Sequence, residues 1–190
     1  MLTRLQAINQ ILVAVGEQVI LVEVAGAGDY ANAGAVLDAE TIKVLAKGWD
    51  FNTDNGWKTG PDSDGHVLIP ASVLHVASSD PNRNIVQRGD RLYDVDRKSD
   101  EFDADLEVNL IRSFAFEDCP YHVQREVVGR AIKAYQRSYV GSSQLDQFAQ
   151  EEQYEAQGDA RDAESVIDDF NMLDNPDLYY LRRRVHRRLV

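Results

Sequence analysis

The sequence predicts an α+β protein: a helical bundle of about four helices, an inserted antiparallel β domain, and an extended C-terminal arm. Three observations carry that expectation. Apolar residues recur every three to four positions before residue 48 and again after residue 120, the period of one helical face. Between Gly89 and Phe114 the period falls to two. There Tyr93 and Val95 alternate with Asp94 and Asp96, and Leu106, Val108 and Leu110 alternate with Asp105, Glu107 and Asn109. That is the pattern of strands with one dry and one wet face. Finally, residues 171–190 are broken by Pro176, carry Tyr179, Tyr180 and Leu181, and finish in arginines. The expected division is a helical bundle from 1–48 together with 115–170, a β domain over 49–114, and an arm over 171–190.

In chain order, Leu5, Ile8, Leu12 and Val15 define a first helix over about 4–15, with Thr3 as N-cap and Gly16 as the C-terminal stop. Val19 to Val24 reads as a short extended segment. The second helix runs from Asp29 to Lys47, with Tyr30, Ala33, Leu37, Thr41, Val44 and Leu45 inward and Gly48 as terminator. Asn55-Gly56 is a type I′ hairpin signal, flanked by Phe51 and Trp57. His66–Ile69 and Val73–Val76 are strand candidates on either side of Pro70. Gly89-Asp90 suits a two-residue II′ turn joining Asn84–Arg88 to Arg91–Asp96, and five or six short strands are expected in all.

Cys119 at the N-cap and Pro120 at the first helical position open a third helix. Val123, Val127, Ala131, Ala134, Tyr135 and Tyr139 face inward, Arg125, Lys133 and Arg137 face outward, and Gly141 ends it. Ser143 and Asp146 have the spacing of a capping box before a fourth helix through Leu145, Phe148 and Ala149. Between 151 and 169 eight acids stand against one base, Arg161. That stretch is expected to be solvated or to face a cavity.

Composition narrows the function. With 44% hydrophobic residues the 190-residue chain can bury a sizeable core. No apolar run approaches the ~20 residues that span a bilayer. The opening Met1-Leu2-Thr3-Arg4-Leu5-Gln6 lacks the layout of a secretory signal. A single cysteine, Cys119, excludes an internal disulfide and fits a reducing compartment, so synthesis in a cytoplasm is expected. The net charge is −12, yet Arg182, Arg183, Arg184, Arg187 and Arg188 contribute +5, leaving −17 on everything else. So acidic a body does not grip phosphate backbones by bulk electrostatics.

Enzyme signatures are weak. Gly26-Ala27-Gly28-Asp29-Tyr30-Ala31 fits the dinucleotide-binding pattern G-x-G-x-x-[GA], but Asp29 would oppose the phosphates and no second βαβ unit follows. A turn and helix cap is the better reading, and titration with dinucleotides distinguishes the two. His66, His75, His122 and His186 lack partners at metal-binding spacing. Asp80, Asn82 and Asn84 imitate the opening of a calcium loop, but Pro81 interrupts it and the required glycine is missing. Glu117 and Asp118 are the wrong neighbours for a catalytic Cys119 thiolate. No catalytic residue, cofactor or metal site is called for. The arginine ending has three readings: capture by an acidic groove on a partner with Tyr179, Tyr180 and Leu181 as anchors, contact with DNA phosphates, or a solvated terminus.

A set of ordered short motifs completes the reading. They are Ala7-Ile8-Asn9-Gln10-Ile11-Leu12-Val13-Ala14-Val15-Gly16-Glu17, then Lys47-Gly48-Trp49-Asp50-Phe51-Asn52, then Gly89, Leu92-Tyr93-Asp94, Ser99-Asp100 and Phe102-Asp103. Val108-Asn109-Leu110-Ile111-Arg112, Cys119-Pro120, Glu151-Glu152 and Asn171-Met172-Leu173-Asp174 follow. Together they resemble the tail tubular protein A family, the head-to-tail adaptors of short-tailed (podovirus) phages, over most of residues 5–175. The likeness fades over 56–84 and in the arginine-rich ending.

The resemblance implies a virion structural protein, made in the host cytoplasm and assembled as a twelve-fold homo-oligomeric ring between the portal protein and a tail nozzle protein of the tail tubular protein B type. DNA passes through such a ring during ejection without specific binding, and no membrane is involved. Twelve copies would carry −144, and a wall of carboxylates repels a duplex with one charge per ~1.7 Å. On this basis Glu151, Glu152, Glu155, Asp159 and Asp162 are expected to face the channel. Tyr179, Tyr180, Leu181, Arg182, Arg183, Arg184, Arg187 and Arg188 are expected to dock on the portal, and the β domain to make lateral or nozzle-side contacts. A cell-wall or polysaccharide hydrolase on the same scaffold is the alternative, since some relatives have been credited with that activity; no residues here specify it.

Overall fold

The computed structural model describes residues 1–22, 28–140 and 153–163. Helix α1 (Arg4–Ala14) begins on a reciprocal cap: the Gln6 amide donates to Thr3 Oγ1 at 3.2 Å, and the Thr3 amide donates to Gln6 Oε1 at 3.0 Å. It stops where Gly16 takes φ +85° and buries Ala7, Ile8, Ile11 and Leu12. Helix α2 (Asp29–Leu45) starts after Gly28, whose φ is +81°, and buries Ala33, Gly34, Leu37, Glu40, Thr41, Val44 and Leu45. Helix α3 (Tyr121–Tyr135) is covered on almost every side, burying nine of its residues, Gln124 and Glu126 among them. It continues into a π-turn, Gln136–Val140. Helix α4, described over 153–163, buries Ala156 and Ala160.

Contacts fix the helix directions. Gln124 bonds both backbone groups of Leu2, and the Gln136 amide donates to the Ala14 carbonyl at 3.2 Å, so α1 and α3 run parallel. Arg4 pairs with Asp38 while Ile8 lies against Gly34, so α2 is antiparallel to α1. Lys47 meets Glu126 and Arg130 meets Glu40, so α2 is antiparallel to α3 as well. A Cβ on Gly129 would lie 3.6 Å from the Gln153 Cα, and Arg125 pairs with Asp159, which runs α4 back along α3. Ile8, Ile11, Leu12, Leu37, Leu45 and Val127 are almost wholly excluded from water. Each contributes about 1.5–3 kcal/mol by its removal from solvent.

The strands are β1 (Thr53–Thr59), β2 (Val73–Ser78), β3 (Ile85–Arg88), β4 (Arg91–Asp94) and β5 (Leu106–Arg112). They form an antiparallel three-stranded sheet in the order β1-β5-β2 and the separate hairpin β3-β4. Leu106, Val108 and Leu110 point inward as their alternation requires, onto Val67, Ile69, Val73, Val76, Ile85, Leu92 and Phe102. The chain is therefore α+β, with one apolar cluster among helices and a second among strands. The arm over 171–190 lies outside the described residues, as do Gly141, Ser143 and the start of the fourth helix.

Four local expectations are corrected. Asn55-Gly56 does not turn a hairpin; it bulges within β1. The register with β5 slips between Asp54 and Trp57, and Gly56, at φ +70°, donates its amide to Asn109 Oδ1 at 3.0 Å. Asp94 is buried, because β4 turns Leu92 and Asp94 inward and leaves Tyr93 half-covered. Cys119 lies one residue ahead of the cap; Pro120 takes the N-cap position, and a 3-10 turn, Phe116–Asp118, precedes it. The extended segment from Val19 is, over its described residues 19–22, a connector and not a strand, and Ile20 exchanges two hydrogen bonds of 2.8 Å with the Asn9 side chain. His66 to Ile69 contributes only isolated bridges, His66 to Glu101 and Leu68 to Arg91. At Gly89 φ is +64°, while Asp90 is absent from the positive-φ residues, which fits a II′ and not a I′ turn.

The helical and strand clusters are joined by Asn52, which is 1% exposed. Its Nδ2 donates to the Leu45 carbonyl at 2.9 Å, at the end of α2, and to the Arg112 carbonyl at 2.8 Å, at the end of β5. Its Oδ1 accepts the Trp49 amide at 2.7 Å. One side chain thus satisfies three backbone groups that have left their ladders. Gly48, at φ +78°, brings the backbone so close that a Cβ would sit 3.0 Å from Ile111 Cδ1. The expected outcome of Asn52→Ala is a loss of about 3 kcal/mol, from orphaned buried groups at about 1–3 kcal/mol each, measured as a lower urea midpoint.

Candidate assembly surfaces

Among the sequence-expected site residues, Glu155, Asp159 and Asp162 are described, and all three are exposed on α4. Ala156 and Ala160 hold that helix against α3, so the side opposite those alanines is free to carry charge. The carboxylates are not bare: Arg125 Nη1 lies 2.6 Å from Asp159 Oδ2. The partly exposed pair adds little to stability. Glu151 and Glu152 lie outside the described residues, as do Tyr179, Tyr180, Leu181, Arg182, Arg183, Arg184, Arg187 and Arg188.

Charge inside the helical half is organised differently. Glu126, its side chain 2% exposed, pairs with Lys47 and with Arg130 at 3.8 Å. Glu40, 6% exposed, accepts from Lys43 at 2.5 Å and from Arg130 at 3.2 Å. Arg130 bridges the two carboxylates and clamps α2 to α3. Leaving a buried carboxylate with no cation costs about 3–5 kcal/mol, and here each of the two keeps a lysine if Arg130 is lost. The network is closed on itself and serves packing.

Among the described residues, those weighed as enzymatic do not assemble into a centre. Cys119 is fully buried and its thiol is pushed up to about 11, by desolvation first and by Asp118 second, so it is a poor nucleophile. Its Sγ leans on the Ala115 carbonyl at 3.4 Å. His122 packs its ring 6.1 Å from that of Trp49. Asp80 Oδ1 is spent on the Asn82 amide and side chain at 2.9 and 3.1 Å, which makes an Asx turn. Gly28 serves as the N-cap of α2. Among the described residues no cluster of histidine, cysteine or carboxylates has metal-binding geometry.

What sequence reasoning missed is the basic turn of the strand half. Asp94 Oδ1 accepts the Asp96 and Arg97 amides at 3.0 and 2.9 Å, and Oδ2 lies 3.4 Å from Arg83 Nη2. The Asp94 and Ser99 backbones close the loop at 2.8 and 3.3 Å. The turn so formed holds Lys98 at φ +55°, a conformation unusual for a side chain of that type. The only available signal was the repeated Asp-x-Asp, which suits a carboxylate-capped turn as well as an alternating strand. The Arg97 amide, with Arg83 and Asp96 adding to it, overcomes burial and keeps the Asp94 carboxyl below its usual range.

A depressed folded value means the stability from Asp94 is complete above its ordinary 3.8 and is lost as pH falls below that, through the folded value. Asp94→Asn is therefore expected to lower the urea midpoint at neutral pH, with the gap to wild type narrowing as pH falls below the ordinary 3.8. A gap independent of pH would show that the charge of the carboxylate, and with it the Arg83 pair, does not hold the turn.

Comparison with protein families places the chain on firmer ground. A sequence comparison with curated proteins gives no match. The family model described as Tube, tail tubular protein, matches residues 5–170, a span that takes in both apolar clusters, the Asn52 junction, the Asp94 turn and α4. No described helix is long and apolar enough to cross a membrane. The chain belongs to the tail tubular protein family, and is on that ground a structural component of a phage tail and of the virion.

Proposed function

We propose that this protein is the head-to-tail adaptor of a short-tailed phage, closing as a ring of about twelve copies between portal and nozzle and letting the genome pass. The observation that carries this reading is the family match over 5–170 on a chain whose net charge is −12. A ring of such copies surrounds its bore with negative potential, and a duplex of like charge crosses it without being trapped. Glu155, Asp159 and Asp162, exposed on α4, are the residues we assign to the channel wall, together with Glu151 and Glu152 just before them. The helical half over 1–48 and 115–170 forms the body, and the β domain over 49–114 meets neighbours. The arm over 171–190 reaches the portal through Tyr179, Tyr180, Leu181 and its arginines, its cations answering an acidic groove.

Two outcomes test the reading. Negative-stain images of the purified chain, alone and mixed with portal protein, are expected to show rings and ring-on-portal complexes; particles without a central hole would overturn it. Truncation after Asp177 is expected to leave the ring intact and to weaken portal capture by about tenfold or more. Undiminished capture would remove the arm from the interface.

A further inference from the structure

The β3-β4 hairpin breaks local rules in one place and with one sign of charge. Arg88 and Arg91 are directly paired across the antiparallel strands, where like charges repel. Both are exposed. The Arg88 guanidinium carbon stands 3.4 Å from the centre of the Tyr93 ring, so the ring holds one cation in place beside the other. A few residues on, the Asp94-capped turn presents exposed Arg97 and Lys98, the latter in its left-handed conformation. Arg91 is 3.9 Å from Asp90 and 4.0 Å from Asp100, and Arg97 is 3.5 Å from Asp103, all of them exposed pairs that water screens. Counting the acids that pair with these cations, residues 83–103 hold five bases and six acids, near balance on a chain of −12, and among the described residues Arg88 and Lys98 are the cations of the patch that make no ion pair.

Local costs of this kind persist where something outside the element repays them. We infer that the outer face of the β3-β4 hairpin, with Arg88, Arg91 and Tyr93, and the adjoining Arg97-Lys98 turn, docks on an acidic surface of a second copy of this chain. The inference deepens the ring reading and rests on it.

A ring is built from heterologous contacts, two different patches on each copy. Copies that each carry −12 repel, and cations set on one of those patches offset that repulsion. The hairpin and its turn supply four exposed cations, Arg88, Arg91, Arg97 and Lys98, and acidic surface is abundant on the rest of the chain. Tyrosine beside arginine is also the composition of interface anchors. DNA fits less well, because Asp90 stands between the two arginines at the hairpin tip with its side chain 79% exposed. A phosphate row would meet that carboxylate, whereas a protein surface can set a cation against it.

The test compares wild type with the double variants Arg88→Glu/Arg91→Glu and Arg88→Gln/Arg91→Gln, and with Lys98→Gly. Sedimentation and negative stain report assembly, thermal unfolding of the monomer reports the fold, and a fluorescent duplex reports DNA binding. Both double variants are expected to raise the concentration needed for assembly by about tenfold or more, the charge reversal most, with monomer unfolding unchanged. Wild-type assembly is expected to weaken with salt. Lys98→Gly is expected to raise the unfolding temperature, by relieving the backbone, and to weaken assembly. Should the charge reversal fail to fold, the glutamine pair decides. Rings formed by the double variants at wild-type concentrations would overturn the inference and leave the ring reading standing. Loss of duplex binding with rings intact would overturn it in favour of nucleic acid, and a wild type that stays monomeric at every concentration would overturn both readings.

Discussion

The structure depends on helix α3 being buried on nearly every side. A helix with one dry face can rest on a neighbour; a helix covered all round must find a partner for each polar group it takes inside. Gln124 meets the start of α1 and the Phe116 carbonyl, Gln136 meets the end of α1, and Glu126 meets Lys47 beyond α2. These bonds dictate the parallel setting of α1 and the antiparallel setting of α2. They do so with more positional information than apolar packing carries, because a hydrogen bond has a direction and a Leu contact does not. Arg130 adds the second carboxylate, Glu40, and ties α2 along its length.

The strand half is organised by a comparable economy of side chains. Asn52 takes the loose backbone ends of α2 and β5, and Asp94 closes the turn after β4. Strand β1 lies at the edge of its sheet, and an open edge invites unwanted pairing. Its bulge at Asn55-Gly56 and its charged Lys58 blunt that edge, while β5, in the middle, carries the regular alternation. These devices suit a subunit that must meet partners at chosen places and not along any free strand.

Charge is segregated in the same spirit. Carboxylates buried among the helices, Glu40 and Glu126, are answered by Lys43, Lys47 and Arg130, the exposed face of α4 carries acids beside Arg161, and four exposed cations stand at the hairpin and turn of the strand half. On the adaptor reading proposed above, that distribution would separate two tasks. Repulsion from DNA needs a diffuse field of one sign, whereas cohesion between copies needs local contacts of both signs.

By itself the sequence determined whatever depends on a residue and its near neighbours. Thr3 and Gln6 mark the start of α1, Gly16 and Gly48 mark helix ends, and the alternation through Leu106, Val108 and Leu110 marks β5; in each case spacing alone selects the conformation. The ordered motifs were enough to point to the family that the match over 5–170 bears out. Tertiary structure decided the cases in which one local pattern serves two ends. A glycine at positive φ suits a hairpin or a bulge, and at Gly56 the choice fell to Asn109 across the sheet. An Asp-x-Asp alternation has no inherent inside, and Asp94 went in because the turn offered its carboxylate two amides and Arg83. Arg88 and Arg91 become neighbours only once the strands pair. The physical reason is the same throughout: backbone preference acts over a few residues, while burial and charge are settled by contacts between residues far apart in the chain.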